Sequence, residues 1–318
     1  MKAPHVPLRA FVVVMATGIL SVGARQQDLS ALSWALLVLA IGAYLALAMA
    51  QGLRMRADPE AVRAEVRSPS TGFGALALVA ATEVMASRLA LARLVGVGAA
   101  VGACGVVLAA ALMPAACASA LRAGPCERVS SATGSWFLTT VALESIALAA
   151  ADIDRTWGSA PVAVVAVALW FAGLVAYVPV AGLLIRRIAV RRLDRGLVGG
   201  DHWVAMGALA IASVAAASLA VACRASSLDG IAGALHGAAV VLWVACSGLG
   251  LGLIALEGVL ALRDGAPAYR LERWATVFPL GMYSLAGSLA GFEAVGAVAF
   301  WAALTAWATV AAGLLRSA

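Results

Sequence analysis

The sequence predicts an all-α polytopic membrane protein, and its composition and its apolar runs both lead to this prediction. Of the 318 residues, 64% are hydrophobic and 12% are charged, whereas soluble domains carry about 25% charged residues. Because a membrane helix needs about 20 apolar residues, we predict one transmembrane domain over residues 1–318 with ten spans. They lie at about 9–24, 29–53, 72–87, 89–121, 132–151, 158–185, 202–222, 230–262, 274–291 and 294–315. The first of these runs could pass for a signal peptide. Because it matches later spans in the chain, we interpret it as the first transmembrane span.

The basic residues predict how the chain is oriented. With the N-terminus inside, seventeen of the 22 lysines and arginines fall in cytoplasmic segments, and five fall outside: Arg25, Arg88, Arg93, Arg155 and Arg224. This positive-inside bias predicts that both termini and the loops at 54–68 and 186–201 are cytoplasmic. Because the basic residues are scattered over short loops, we expect no binding of nucleic acid.

Neither a metal site nor a catalytic site is predicted. The five cysteines form no CxxC pair, and the three histidines are far apart in the sequence. There is no Ser-His-Asp arrangement, phosphate loop or HExxH helix. We therefore expect no cofactor, no metal and no enzymatic activity.

Two kinds of span alternate along the chain. Odd-numbered spans are short and carry Gly, Ser, Thr and an occasional acid, as in SATGSWFLTTVALESIALAA, whereas even-numbered spans are longer and rich in Ala, Leu and Val. The odd spans recur about every 60–75 residues, which indicates five helical hairpins. Small residues also permit close helix packing, so packing alone could explain them. Their concentration on the same member of each hairpin favours a polar conduit, because polar groups in hydrocarbon are costly unless they face one another or water.

Five motifs carry a resemblance to a known family. They are MATGIL (15–20), VRAEVRSP (62–69), GSWFL (134–138), WVAMGALAI (203–211) and WATVFPLGMY (274–283). In their order and placement the sequence resembles the tellurite-resistance/dicarboxylate transporter family, which includes bacterial tellurite-resistance permeases and plant slow anion channels. The resemblance implies ten transmembrane helices as five helical hairpins in quasi-fivefold arrangement around a central pore. It also implies transport of small anions or C4-dicarboxylates by a homotrimer in the bacterial plasma (inner) membrane.

Phe278 and Pro279 form the predicted pore gate. In the resembling family a phenylalanine on the ninth helix obstructs the pore, and Phe278 occupies the matching position. Pro279 cannot donate a hydrogen bond to the carbonyl of Ala275, and a kink there would turn the Phe278 ring off the regular helix surface. The alternative is that Phe278 packs in the core or faces lipid, beside a proline of the kind that is ordinary in membrane helices.

The predicted pore-lining residues lie on the odd spans. Glu83 and Glu144 stand about twelve residues from the cytoplasmic start of their spans, at a depth comparable with Ser21, Ser213 and Ser284. If both acids face the conduit, at least one must be protonated for anions to pass, because two negative charges would repel the anion. The alternative is two acids bonded between helices. The full set of pore-lining candidates is Thr17, Gly18, Ser21, Thr82, Glu83, Thr140, Glu144, Ser213, Gly281 and Ser284.

The favoured function is therefore an anion channel or a dicarboxylate carrier, since both use this scaffold. Few basic residues fall within the spans, so we expect positive potential from helix N-termini and weak selectivity among anions. The alternative is a proton-coupled secondary transporter of another small solute, as in drug or metabolite efflux, with Glu83 and Glu144 as the coupling site.

Overall fold

The computed structural model describes residues 6–190, 200–226, 228–264 and 269–317, and within these ranges it is helical with no strand. Ten helices are long, and two short helices, α3 and α6, lie between them. The helices are α1 (Val12–Gln26), α2 (Ser30–Ala57), α3 (Pro59–Val66), α4 (Leu76–Leu91), α5 (Val95–Arg122), α6 (Pro125–Ser131), α7 (Leu138–Trp157), α8 (Ala160–Val190), α9 (Trp203–Ala225), α10 (Asp229–Asp264), α11 (Trp274–Leu289) and α12 (Glu293–Ser317).

Nine helical segments in the described part of the chain are long and apolar enough to cross a membrane. The predicted span at 274–291 corresponds to α11, which is not among them. Its 16 residues extend about 24 Å, less than the roughly 30 Å of a hydrocarbon core. The turn before it carries Glu272 and Arg273, which lower the hydropathy of the segment.

The ten long helices fall into two classes by burial. In the segments that contain α1, α4, α7 and α9, between 78% and 89% of the apolar stretch is buried within the chain, against 17% to 22% for α2, α5, α8, α10 and α12. Most of α11 is buried as well. The less buried helices expose apolar side chains, as expected for helices that face lipid. We call α1, α4, α7, α9 and α11 the inner helices and the others the outer helices.

Contacts between the helices follow a regular pattern. Each inner helix packs against the outer helix that follows it, and the inner helices contact one another in the cyclic order α1, α4, α7, α9, α11 and back to α1. Short turns join each inner helix to its outer partner. Asp28, Arg93, Gly158 and Gly291 have positive φ in four of these turns, a conformation that reverses the chain within a few residues.

The predicted cytoplasmic segments are described in part. Residues 191–199, within the predicted loop 186–201, lie outside the described residues, as do Lys2 and His5. The predicted loop 54–68 is described and contains α3. Its N-cap is Asp58, whose side chain accepts a hydrogen bond from the backbone N–H of Ala61 at 2.9 Å, and Pro59 follows at the first helical position.

Candidate functional site

The N-terminal ends of the five inner helices meet at one end of the molecule. A short 3₁₀ turn precedes each inner helix, and the five turns are Leu8–Phe11, Gly72–Ala75, Gly134–Phe137, Gly200–His202 and Leu271–Arg273. Consecutive turns contact each other from the first to the fifth. An ion pair between Arg9 and Glu272, with Nη1 and Oε1 2.8 Å apart, joins the fifth turn to the first. The turns therefore form a closed ring.

Glycines and the 62–69 motif hold this ring together. Gly134 lies directly against the backbone of Asp201, and Gly200 lies against that of Glu272, where a Cβ would come within 2.5 Å of the carbonyl oxygen. Glu65, from the 62–69 motif, accepts hydrogen bonds from the backbone N–H of Leu8 at 2.8 Å and from Arg54 Nη1 at 2.5 Å. The motif thus anchors the first turn of the ring.

The C-terminal halves of the inner helices enclose a cavity of about 250 Å³. All five contribute apolar side chains to it, among them Ile19, Val84, Leu148, Val214 and Met282. Its polar lining consists of Arg25, Gln26, Ser87, Asp152, Arg155 and Ser218. Because the N-terminal turns meet at one end and the C-terminal halves share this cavity, the five inner helices run in the same direction.

A polar network in the cavity wall joins three inner helices. Ser87 on α4 donates a hydrogen bond to Asp152 Oδ2 on α7. Arg155, one turn beyond Asp152, has its Nη2 3.3 Å from Asp152 Oδ1 and donates to Ser218 Oγ on α9 at 3.0 Å. Arg25 also lines the cavity but makes no ion pair with any described residue.

On the N-terminal side of the cavity the inner helices pack directly against each other. A Cβ at Gly18 of α1 would lie 2.8 Å from Val84 Cγ1 of α4, and one at Gly281 of α11 would lie 2.8 Å from Ile19 Cγ2 of α1. Glycine at these positions therefore allows the close approach of neighbouring helices. Neighbouring inner helices are therefore in close contact at this level.

Comparison with known proteins assigns the chain to a family. Residues 5–315 match the family model described as voltage-dependent anion channel. The chain belongs to this family. The match agrees with the resemblance to tellurite-resistance and anion-channel proteins seen in the sequence motifs. An uncharacterized membrane protein of Mycobacterium tuberculosis, found in strains CDC 1551 / Oshkosh and H37Rv, is 31% identical over 148 residues, which cover 44% of this chain and 75% of that protein.

Phe278, at the position where the resemblance to the anion channel family implies a gate, lies on α11. The ring is 1% exposed, and its Cδ1 would lie 3.5 Å from a Cβ at Gly207 of α9, with Pro279 Cγ at 2.9 Å. Phe278 stands one helical turn before Met282, which lines the cavity. It therefore lies about 6 Å along α11 from the cavity lining, on its N-terminal side.

In this member of the anion channel family, the three predicted serines contact outer helices. Ser21 donates to the carbonyl of Ser33 on α2, Ser213 to that of Ala239 on α10, and Ser284 to that of Gly296 on α12, each at 2.7 Å. The residues that directly follow the three serines, Val22, Val214 and Leu285, do line the cavity. Each serine therefore lies beside the cavity, at the interface with an outer helix.

Glu83 and Glu144 occupy the corresponding positions on α4 and α7. The Glu83 carboxylate lies against Gly105 of α5, and the Glu144 carboxylate lies against Gly173 of α8. Neither acid is among the residues that line the cavity. Both acids therefore lie between an inner and an outer helix, which is the position in the alternative interpretation and not the one in which they face the conduit.

The other candidates also lie at helix contacts or are buried. Thr17 donates to the carbonyl of Val13 and accepts a hydrogen bond from Trp307 Nε1 of α12 at 3.0 Å. Thr82 bonds to the Tyr44 hydroxyl of α2 at 2.8 Å. Thr140 is fully buried. Gly18 and Gly281 serve the close helix contacts described above.

The charged residues of the cavity were not predicted as site residues. Arg25 and Arg155 entered the prediction only as signals of topology, and Asp152 was not part of it. Four of the five inner helices carry an arginine in the last turn, namely Arg25, Arg88, Arg155 and Arg224. This repeat is visible in the sequence and could have pointed to the cavity.

Among these helix-end arginines, Arg88 also has a structural role. It is fully buried and donates from Nε to Ser21 Oγ at 2.8 Å and from Nη2 to Ser33 Oγ at 2.9 Å. Its guanidinium carbon lies 5.4 Å from the centre of the Trp34 ring, within reach of a cation–π interaction. Arg88 thus ties α4 to α1 and α2 beside the cavity.

Proposed function

We propose that the protein conducts small anions across the membrane along the axis of its five inner helices. The observation that carries this proposal is their common direction, with five N-termini at one mouth and an arginine-bearing cavity at the other end. The cyclic contacts among the inner helices support a quasi-fivefold arrangement of five hairpins. Membership of the voltage-dependent anion channel family supports the same function.

Helix dipoles would make the N-terminal mouth attractive to anions. Each helix N-terminus carries the equivalent of about half a positive charge. None of the five inner helices, all of which are fully described, has an acidic residue in its first turn. Glu272, in the turn before α11, is paired with Arg9. Five partial positive charges therefore surround the axis.

The arginines would offset the opposite sign at the other mouth. Parallel helices also place five C-termini together, and their partial negative charges oppose an anion there. Arginine in the last turn of α1, α4, α7 and α9 counters that potential. An anion then meets a favourable field at the N-terminal mouth and a weakened opposing field at the other mouth.

Phe278 is the proposed gate between the two ends. It lies at the level where the inner helices pack closely, beside Gly207. A narrow apolar constriction excludes water and with it a hydrated ion. Opening requires the Phe278 ring to leave the axis or the inner helices to separate at Gly18, Gly207 and Gly281.

The proposal includes the setting of the protein. Both termini are placed in the cytoplasm of a bacterial cell, so that the N-terminal ring faces the cytoplasm and the cavity faces outward. The protein is placed in the inner membrane as a homotrimer, as the family resemblance implies. Both inorganic anions and C4-dicarboxylates belong to the proposed substrate range.

A proton-coupled transporter is the second candidate, and one observation favours it. Both carboxylate oxygens of Glu144 and the Oε1 of Glu83 are buried and have no hydrogen-bond partner among the described residues. Buried acids without partners are typical of proton-binding sites in transporters.

The test is anion flux in proteoliposomes that contain the purified protein. Chloride, nitrate, malate and succinate are offered with and without a proton gradient. Flux of anions down their own gradient, with no need for a pH difference, is the expected result. Flux that requires a proton gradient would favour the second candidate, and cation-selective reversal potentials would contradict the proposed anion pathway.

A further inference from the structure

The cavity at the C-terminal end of the inner helices has an unequal distribution of charge. Its charged lining consists of two cations, Arg25 and Arg155, and one acid, Asp152. Arg155 is engaged by Asp152 at 3.3 Å, whereas Arg25 has no acidic partner among the described residues. The lining therefore offers one uncompensated positive charge. Arg88 donates to Ser21 and Ser33 and is not part of the lining.

Asp152 is fixed in place as part of this lining. Asp152 is 7% exposed, and its side chain accepts the hydrogen bond of Ser87 from α4, while Arg155 holds its other oxygen. Arg155 is in turn held by Ser218 of α9. A network that joins three inner helices keeps the negative charge of Asp152 at the cavity wall.

Apart from the charged residues and the polar side chains of Gln26, Ser87 and Ser218, the lining of the cavity is apolar. All five inner helices place aliphatic or methionine side chains in it, including Val84, Val214 and Met282. These groups cannot replace the water that a charged carboxylate loses on entry. They do suit the hydrocarbon part of a small organic anion.

We infer that this cavity is an anion-binding site selective for monovalent anions, including short monocarboxylates, over dicarboxylates, with Arg25 as the binding cation and Asp152 as the residue that excludes a second negative charge. The inference rests on the proposed anion transport and narrows its substrate class. A monovalent anion is matched by the single surplus positive charge. The second carboxylate of a C4-dicarboxylate would meet apolar walls, Asp152, or Arg155, whose charge is already engaged by Asp152.

The size of the cavity agrees with this class of ligand. A volume of about 250 Å³ accommodates a small anion such as chloride, nitrate or butyrate. Because butyrate and a C4-dicarboxylate have the same number of carbons, the volume does not distinguish them. The selectivity therefore comes from the charge and the polarity of the lining.

The experiment compares chloride, butyrate, malate and succinate flux in proteoliposomes for the wild type and Asp152→Asn. The wild type should carry chloride and butyrate faster than malate and succinate. Asn keeps the shape of Asp and can still accept from Ser87, so the variant removes one negative charge. We expect the ratio of malate flux to chloride flux to rise about tenfold, since the dianion gains more than the monoanion from loss of a nearby negative charge.

A matched control and a second variant accompany this measurement. Asp229→Asn makes the same charge change at an exposed residue at the start of α10 that does not line the cavity, and it should leave the flux ratio unchanged. Arg25→Gln, at an exposed position, should raise the half-saturating concentration of butyrate about tenfold, because it removes the unpaired cation. Thermal unfolding in detergent establishes that each variant is folded.

The outcomes separate this inference from the proposed function. Anion flux in the wild type with malate as fast as butyrate would overturn the inference and leave anion transport standing. An unchanged flux ratio in folded Asp152→Asn, or unchanged half-saturation in Arg25→Gln, would also overturn it. The absence of any anion flux in the wild type would contradict the proposed function itself.

Discussion

The carboxylate of Glu144 on α7 lies against Gly173 on α8, where a Cβ would come within 2.5 Å of Oε1. Glu83 and Gly105 form the same relationship between α4 and α5. In both cases the large acid of an inner helix fits the space left by a glycine on its outer partner. The acids thus contribute to the packing of an inner helix on an outer helix.

Gly173→Ala should destabilise the protein. The added methyl group would collide with the Glu144 carboxylate, and overpacking of this kind costs about 1–3 kcal/mol. Gly182→Ala on the same helix is the matched control, because a Cβ there meets nothing within 4 Å. Thermal unfolding of the two variants in detergent measures the difference.

A double variant identifies the cause of this loss. Glu144→Ala combined with Gly173→Ala removes the side chain with which the new methyl group collides. The two changes should be non-additive, as expected for residues in direct contact. Additive losses, or equal losses for Gly173→Ala and Gly182→Ala, would rule out the packing relationship.

The sequence predicted the helices well because their signals are local. Each predicted span corresponds to a helix with its ends displaced by a few residues, as for 158–185 against Ala160–Val190. Apolar runs and short turns determine these limits, and both can be read along the chain. The division into short polar and long apolar spans likewise matches the inner and outer helices.

The candidate site was predicted less well, for a physical reason. The depth of Glu83, Ser213 or Ser284 follows from counting residues, but the direction of a side chain depends on which neighbour the helix packs against. Ser213 is directed to Ala239, and Val214 is directed to the cavity, although they are adjacent in sequence. Only the packing of inner on outer helices decides between them.

The Glu83→Gln/Glu144→Gln double variant should keep its anion flux within about twofold of the wild type, because neither acid lines the cavity. A tenfold effect would need a change of about 1.4 kcal/mol in the free energy of the anion along its path. Glutamine preserves the shape of glutamate and removes its charge. Chloride flux in proteoliposomes, measured at several pH values, provides the test. Loss of coupling to a proton gradient in this variant would instead support the proton-coupled transporter.

Cysteine labelling should show that α3 is cytoplasmic, as the arginine distribution predicts. In a background without the exposed Cys104 and Cys126, Glu60→Cys and Asp229→Cys are compared in intact cells. An impermeant maleimide added outside should label position 229 and not position 60. Labelling at position 60 from outside would reverse the proposed orientation and place the cavity on the cytoplasmic side.

Phe278→Ala should raise chloride flux severalfold while it lowers stability. Truncation of a buried Phe costs about 3–5 kcal/mol, and the ring is 1% exposed beside Gly207. If the ring also closes the axis, its removal leaves a wider path for a hydrated anion. The quantity to compare between Phe278→Ala and the wild type is the chloride flux divided by the amount of folded protein.

Phe300→Ala is the control that separates gating from packing. Phe300 is fully buried, but it lies on the outer helix α12 against Gly23 of α1. The same truncation there should lower the melting temperature by a similar amount without raising chloride flux, because the ring lies away from the axis of the inner helices. Equal flux in Phe278→Ala, Phe300→Ala and the wild type would assign Phe278 to packing alone. The barrier to the anion would then be formed by the helix contacts at Gly18, Gly207 and Gly281.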